Sequence, residues 1–168
     1  MLSTAALLIF PILMAYAAFS DLLSMRIANW LVLVIVVAYG VLAYFTGLEW
    51  SEIGTACAAA AIVLAIAFAF FAFGWIGGGD AKLVAATTLW IGLGLLLQYL
   101  IYAALLGGAL TLIILSLRRY PLPSWLARHS WLDRLHNPKS GVPYGIALAA
   151  AGLLVYPETL IFRHLIGS

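Results

Sequence analysis

Apolar residues run almost unbroken along this chain, and short polar interruptions divide them into segments. A helix needs about 20 apolar residues to cross a bilayer, with a range of about 17–25. Runs at residues 2–19, 30–45 and 53–73 meet or approach that length. Pro11 falls inside the first run. A span tolerates such a residue when a neighbour satisfies the freed carbonyl. Residues 81–117 stay apolar for too long to be one crossing. At about 1.5 Å per residue a single helix would overshoot a ~30 Å hydrocarbon core. Gly92 and Gly94, with Gln98 nearby, mark the natural break. This gives a short fourth span near 81–91 and a fifth near 95–117, and a sixth covers residues 142–156. The pattern predicts an all-α polytopic membrane protein with six transmembrane helices. They form a single domain, residues 1–168, with a basic loop at 118–141.

Composition sharpens the class. The chain is 66% hydrophobic and 8% charged, with a mean hydropathy of +1.14. A soluble domain does not look like this. A transmembrane β-barrel would alternate apolar and polar residues, whereas these runs are continuous. The net charge of +2 is small and points to no nucleic-acid partner. The single cysteine, Cys57, lies within an apolar run and reads as a small buried hydrophobe. Ala15-Tyr16-Ala17 resembles a signal-peptide cleavage site, but no basic region precedes it. The first run is therefore expected to be a retained span.

The distribution of charge changes the picture further. With six spans, the segments at 20–29, 74–82 and 118–141 share one side of the membrane. They carry Arg26, Lys82, Arg118, Arg119, Arg128, Arg134 and Lys139, leaving only Arg163 elsewhere. The positive-inside rule makes that side cytoplasmic and places the N-terminus outside. The opposite loop carries Glu49 and Glu52 and no base. If 81–117 were one span, the basic loop would fall opposite Asp80 and the rule would fail. Trp30, Trp75 and Trp90 fall near span ends, as an aromatic belt requires. Within the basic loop, prolines at 121, 123 and 138 prevent one continuous helix. Trp125, Leu126, Trp131, Leu132 and Leu135 alternate there with Arg128, His129 and Arg134. This reads either as a short interfacial amphipathic segment on anionic lipid or as a solvated loop with aromatic anchors.

Two carboxylates stand out, Asp21 after the first apolar run and Asp80 after Gly77-Gly78-Gly79. An ionisable residue at such a position is a functional-site hypothesis. Two carboxylates held close in a low-dielectric site share a proton and titrate as a unit. That supplies an acid and a base together, as in aspartic proteases. Two other readings stay open on chemistry alone. One is an ion-binding or proton-relay pair. The other is structural, with Asp80 capping a helix and Asp21 pairing with Arg26. His129, His136 and His164 have no ligand spacing, and neither metal nor cofactor is expected. Thr87 and Thr88 read as helix-contact residues.

Three motifs resemble those of the type IV prepilin leader peptidases, a family of GxGD membrane aspartyl proteases, and among them its short Tad/Flp-type members. Gly77-Gly78-Gly79-Asp80-Ala81-Lys82-Leu83 matches the second aspartate motif. The stretch from Asp21 through Arg26 to Ile27-Ala28-Asn29 resembles the first, in which basic residues and then Ile-Pro-Asn follow the aspartate. Val142-Pro143-Tyr144-Gly145 resembles a motif at the start of the last span. Two departures stand out. Ala28 replaces the proline, and Arg26 is the one base where relatives often have more. The larger members also carry a zinc-binding insert with paired cysteines and methylate the cleaved pilin. This chain has no room for that module, so methyl transfer is not expected.

The resemblance implies a peptidase that removes the short basic leader of type IV-like (Flp) prepilins at the cytoplasmic border of the inner membrane. The cut typically falls just after a glycine. Asp21 and Asp80 would be the catalytic pair. Gly77, Gly78 and Gly79 would let a substrate backbone lie beside Asp80. Lys82 would either influence titration of the pair or hold a lipid phosphate. Arg26 and Asn29 would organise the turn after Asp21. Pro143, Tyr144 and Gly145 would support the site, chiefly by packing. The expected partners are prepilins and membrane lipid. The rival readings are a small proton- or ion-coupled transporter using the same aspartates and an accessory subunit in which they are structural.

Overall fold

The computed structural model describes residues 2–123 and 128–167, and all regular structure among them is helical. Eight helices follow in order: α1 (Leu2–Ser24), α2 (Asn29–Phe45), α3 (Trp50–Ala72), α4 (Gly78–Ile91), α5 (Leu96–Leu117), α6 (Ser130–His136), α7 (Tyr144–Val155) and α8 (Leu160–Gly167). Short 3-10 turns, Leu93–Leu95 and Tyr156–Glu158, join α4 to α5 and α7 to α8.

Ala5–Ser24, Trp50–Ala72 and Leu93–Leu117 are each long and apolar enough to cross a membrane. The α7–α8 pair, bent by 46°, makes a fourth crossing if it is one span. α2 has 17 residues and α4 only 14. Helix length therefore accounts for three or four crossings of the six expected. The position of α4 explains how so short a helix persists. It packs chiefly on α3 and also against α2 and α7. Ala81 and every residue from Leu83 to Ile91 are buried. Protein, rather than lipid, satisfies its surface.

The expected break lies where the glycines put it. Gly92 caps α4 with φ +73°, a conformation that suits glycine, and the chain turns into α5. Pro11 is accommodated within α1. Its missing N–H leaves the Leu7 carbonyl without its helical donor. The Tyr156 hydroxyl donates to that carbonyl at 3.2 Å. On α3, Cys57, expected to be buried, is exposed. The helix buries Ala56, Ala59, Ala60, Val63 and Ala67 and packs chiefly on α4. Such small residues let helix backbones approach closely in lipid. α7 plays a similar part between α1 and α5. A Cβ on Gly152 would stand 3.1 Å from Thr87 Cγ2 and 3.4 Å from Phe10, so α1, α4 and α7 converge there. Thr87 Oγ1 donates to Met14 Sδ, and Thr88 bonds back to the Val84 carbonyl, the helix-contact roles expected of both.

The polar segments gather at one end of the bundle. Arg134 Nη1 donates to the Ser24 carbonyl at 3.0 Å. Arg118 donates from Nε to the Leu135 carbonyl and from Nη2 to the carbonyls of Ser140 and Gly141. The described part of the basic loop is thus tied to α1 and α5, with Trp131, Leu132 and Leu135 half-buried. Trp125 and Leu126, the other apolar positions of the expected amphipathic segment, lie outside the described residues. At the far end of α4, Glu52, Gly92, Glu158 and Arg163 border a separate cavity of about 470 Å³.

Candidate active site

Asp21 occupies the last turn of α1, so the first helix runs past its apolar stretch to include the carboxylate. Met25 ends that helix. Its N–H donates to the Asp21 carbonyl at 2.7 Å, and its φ of +52° turns the chain away. A bulky residue in this left-handed region is a local outlier. The Asp21 side chain is only 4% exposed. Its Oδ2 accepts the Gly145 backbone N–H at 2.7 Å. N–H groups in the first turn of a helix have no partner within it, so the start of α7 supplies a ready donor to an anion. Pro143, buried at the N-cap, precedes this turn. A Cβ on Gly145 would fall 2.7 Å from that same oxygen and 2.9 Å from Ile27 Cδ1. Only glycine fits.

Asp80 is the third residue of α4. The helix cap expected of it is instead provided by Gly77, which has extended backbone. The Asp80 carboxylate folds back over Gly77, where a Cβ would lie 2.9 Å from Oδ2. A negative charge in the first turn is also favoured by the helix dipole. The other two glycines have neighbours of their own. A Cβ on Gly78 would meet the Phe71 ring at 3.1 Å, and one on Gly79 would meet Ile27 Cβ at 3.2 Å. Close packing within the protein therefore accounts for all three glycines.

Ile27 ties the halves together. It is buried, with Gly79 of α4 on one side and Gly145 of α7 on the other. Gly79 precedes Asp80 in the chain and Gly145 holds Asp21, so the segments that carry the two aspartates meet at this residue. The motif that contains Ile27 was recognisable, but nothing in it marked the isoleucine as the wedge. Arg26 forms no ion pair with Asp21. It is exposed, and its carbonyl accepts the Ser20 and Ser24 hydroxyls. Asn29 Oδ1 accepts Lys82 Nζ at 2.8 Å, joining the start of α2 to α4. Ala28 carries φ −68°, the value a proline ring would impose. The departure from Ile-Pro-Asn therefore leaves the turn geometry intact.

Asp80 opens into a groove of about 430 Å³ between α3, α4, α5 and α7, whereas Asp21 lies buried. Tyr144 lines the groove, and its hydroxyl shares a hydrogen bond with Thr111 Oγ1 at 3.0 Å. Among the described residues no group of three or more His, Cys, Asp or Glu could hold a metal ion. A buried carboxylate behind a more open one, at the end of apolar helices, can exchange protons with a water and a peptide bond.

These features define a helical membrane protein with two aspartates, one buried and one lining a groove, near one end of its helices. The profile of the type IV leader peptidase family matches residues 8–112, more than half of the sequence, and the chain belongs to that family. The matched stretch contains Asp21, Asp80 and the three glycines; Pro143, Tyr144 and Gly145 lie beyond it. No curated protein and no solved structure matches the chain. Membership makes it a protease of the prepilin-peptidase type.

Proposed function

We propose that this chain is an aspartic endopeptidase that removes the leader of type IV-like (Flp) prepilins, with Asp21 and Asp80 as its catalytic pair. The supporting observation is that Ile27 packs against both Gly79, the residue before Asp80, and Gly145, whose N–H holds Asp21, so the segments carrying the two aspartates meet from positions far apart in sequence. One carboxylate is ionised and takes a proton from water. The other is protonated and donates to the scissile carbonyl oxygen. The water oxygen bonds to the carbonyl carbon, and the tetrahedral intermediate collapses as the first carboxyl passes its proton to the leaving nitrogen, the second takes its own back from the hydroxyl, and the C–N bond breaks. The Gly145 N–H holds one oxygen of Asp21 and leaves the other for the shared proton.

In this reading six helices span the inner membrane, with α2 and α4 as short spans and α4 shielded by its neighbours. The pair faces the cytoplasm and the N-terminus lies outside. The joining of Ser24 to Arg134 and of Asn29 to Lys82 at the Asp21 end supports that orientation through the positive-inside rule.

Co-expression with a candidate prepilin, followed by gel mobility, tests the proposal. Wild type is expected to shorten the prepilin. Asp21→Asn and Asp80→Asn are each expected to abolish cleavage at unchanged protein level and membrane insertion. Cleavage that survives either substitution would remove that residue from the pair. Survival in both would bring the transporter or accessory reading forward.

A further inference from the structure

The groove beside Asp80 reaches that carboxylate from outside the bundle. Its walls include Ile66 and Phe70 of α3, Trp75 of the following loop, and Tyr144 and Leu148 of α7. Asp80 is the only charged residue among the described lining. Ile66, Phe70 and Trp75 are 52%, 41% and 70% exposed, so the groove opens sideways onto the surface of the apolar helices. A membrane-embedded chain could enter it without leaving the hydrocarbon. Its volume of about 430 Å³ lies within the range typical of ligand clefts, about 300–1,000 Å³.

One wall of the groove is held from behind. The Tyr144 ring rests on α5, where a Cβ on Gly107 would be only 2.8 Å from Cε1. Thr111 Oγ1 hydrogen-bonds the Tyr144 hydroxyl and also donates to the Gly107 carbonyl at 2.7 Å. Gly107 is not part of the lining. It sets how far the tyrosine stands back. The next residue, Gly145, holds Asp21. The width of the groove and the position of a carboxylate are thus set by consecutive residues of α7.

We propose that this groove is the subsite for the apolar substrate segment next to the scissile bond, and that Tyr144, backed by Gly107, determines which side chains fit. The proposal rests on the peptidase reading above. An apolar peptide segment is the occupant favoured by continuity with Asp80, because the bond to be cut must lie against that carboxylate. A lipid acyl chain would match the walls equally well but has no reason to reach the acid.

The test uses the full-length protein in membranes and a tagged candidate prepilin. Gly107→Ala pushes the tyrosine ring into the groove. It is expected to raise KM roughly 10-fold for a prepilin with a large residue next to the cut while leaving kcat largely unchanged. A prepilin with a small residue there should be little affected. The double variant Gly107→Ala/Tyr144→Ala should cleave the large-residue substrate again. Independently, a photo-crosslinking residue at Leu148, in the Asp80→Asn background, should capture the prepilin. The same probe at Leu112, exposed on α5 outside the groove, should not. Equal loss on all substrates, no restoration in the double variant, or capture of lipid alone at Leu148 would overturn the subsite while cleavage persists. If wild type cuts no prepilin and the Leu148 probe captures none, the peptidase reading itself falls.

Discussion

The Gly145 N–H donates to Oδ2 of Asp21 at 2.7 Å, across 124 positions of sequence. This bond joins the end of α1 to the start of α7 and fixes one carboxylate of the proposed pair. A side chain at 145 would occupy the space of that oxygen. Gly145→Ala is therefore expected to displace Asp21. A misplacement of about 1 Å in a catalytic group costs on the order of 10²-fold in rate. Prepilin cleavage kinetics would show this as a fall in kcat. Near-normal kcat would show that Asp21 tolerates the shift.

Ala28 already has backbone that a proline would adopt, and its N–H donates no hydrogen bond among the described residues. Ala28→Pro should stabilise the folded state by about 0.4–1 kcal/mol by restricting the unfolded chain. Thermal unfolding in detergent should show a higher Tm with cleavage retained. A lower Tm would mean that the turn before α2 is not free to accept the ring.

Tyr156→Phe removes the donor to the Leu7 carbonyl. Leaving a buried acceptor unmade costs about 1–3 kcal/mol, and this part-buried one should fall at the low end of that range. The cost should shrink in a Pro11→Ala background, because residue 11 then supplies the missing helical N–H. A double-mutant cycle on Tm measures this coupling. Additive effects would show that the tyrosine does not serve the proline.

Arg118 reaches three carbonyls through a planar fork that lysine cannot reproduce. Arg118→Lys should free the loop from α5. Limited trypsin digestion should then cut faster after Arg128, Arg134 and Lys139 than in wild type. Unchanged digestion would mean that the Arg134 tie to Ser24 holds the loop unaided.

The sequence alone singled out the two aspartates, the family resemblance and the helical character of the chain. Asp21 and Asp80 stood out because a carboxylate is costly beside so much hydrocarbon. The break at Gly92 followed from length, and Pro11 announced a carbonyl in need of a donor. The tertiary structure decided which residues meet. Nothing in the pattern marked Ile27 as the wedge between Gly79 and Gly145, or Tyr156 as the donor to Leu7. Nor did it show that Gly77 leaves room for the Asp80 carboxylate itself. The physical reason lies in the solvent. In water, an amphipathic stripe tells which helix face is buried. In lipid, both faces are apolar, and close fit between small and large side chains selects the partners. Such fits join residues distant in sequence, and hydropathy carries no record of them.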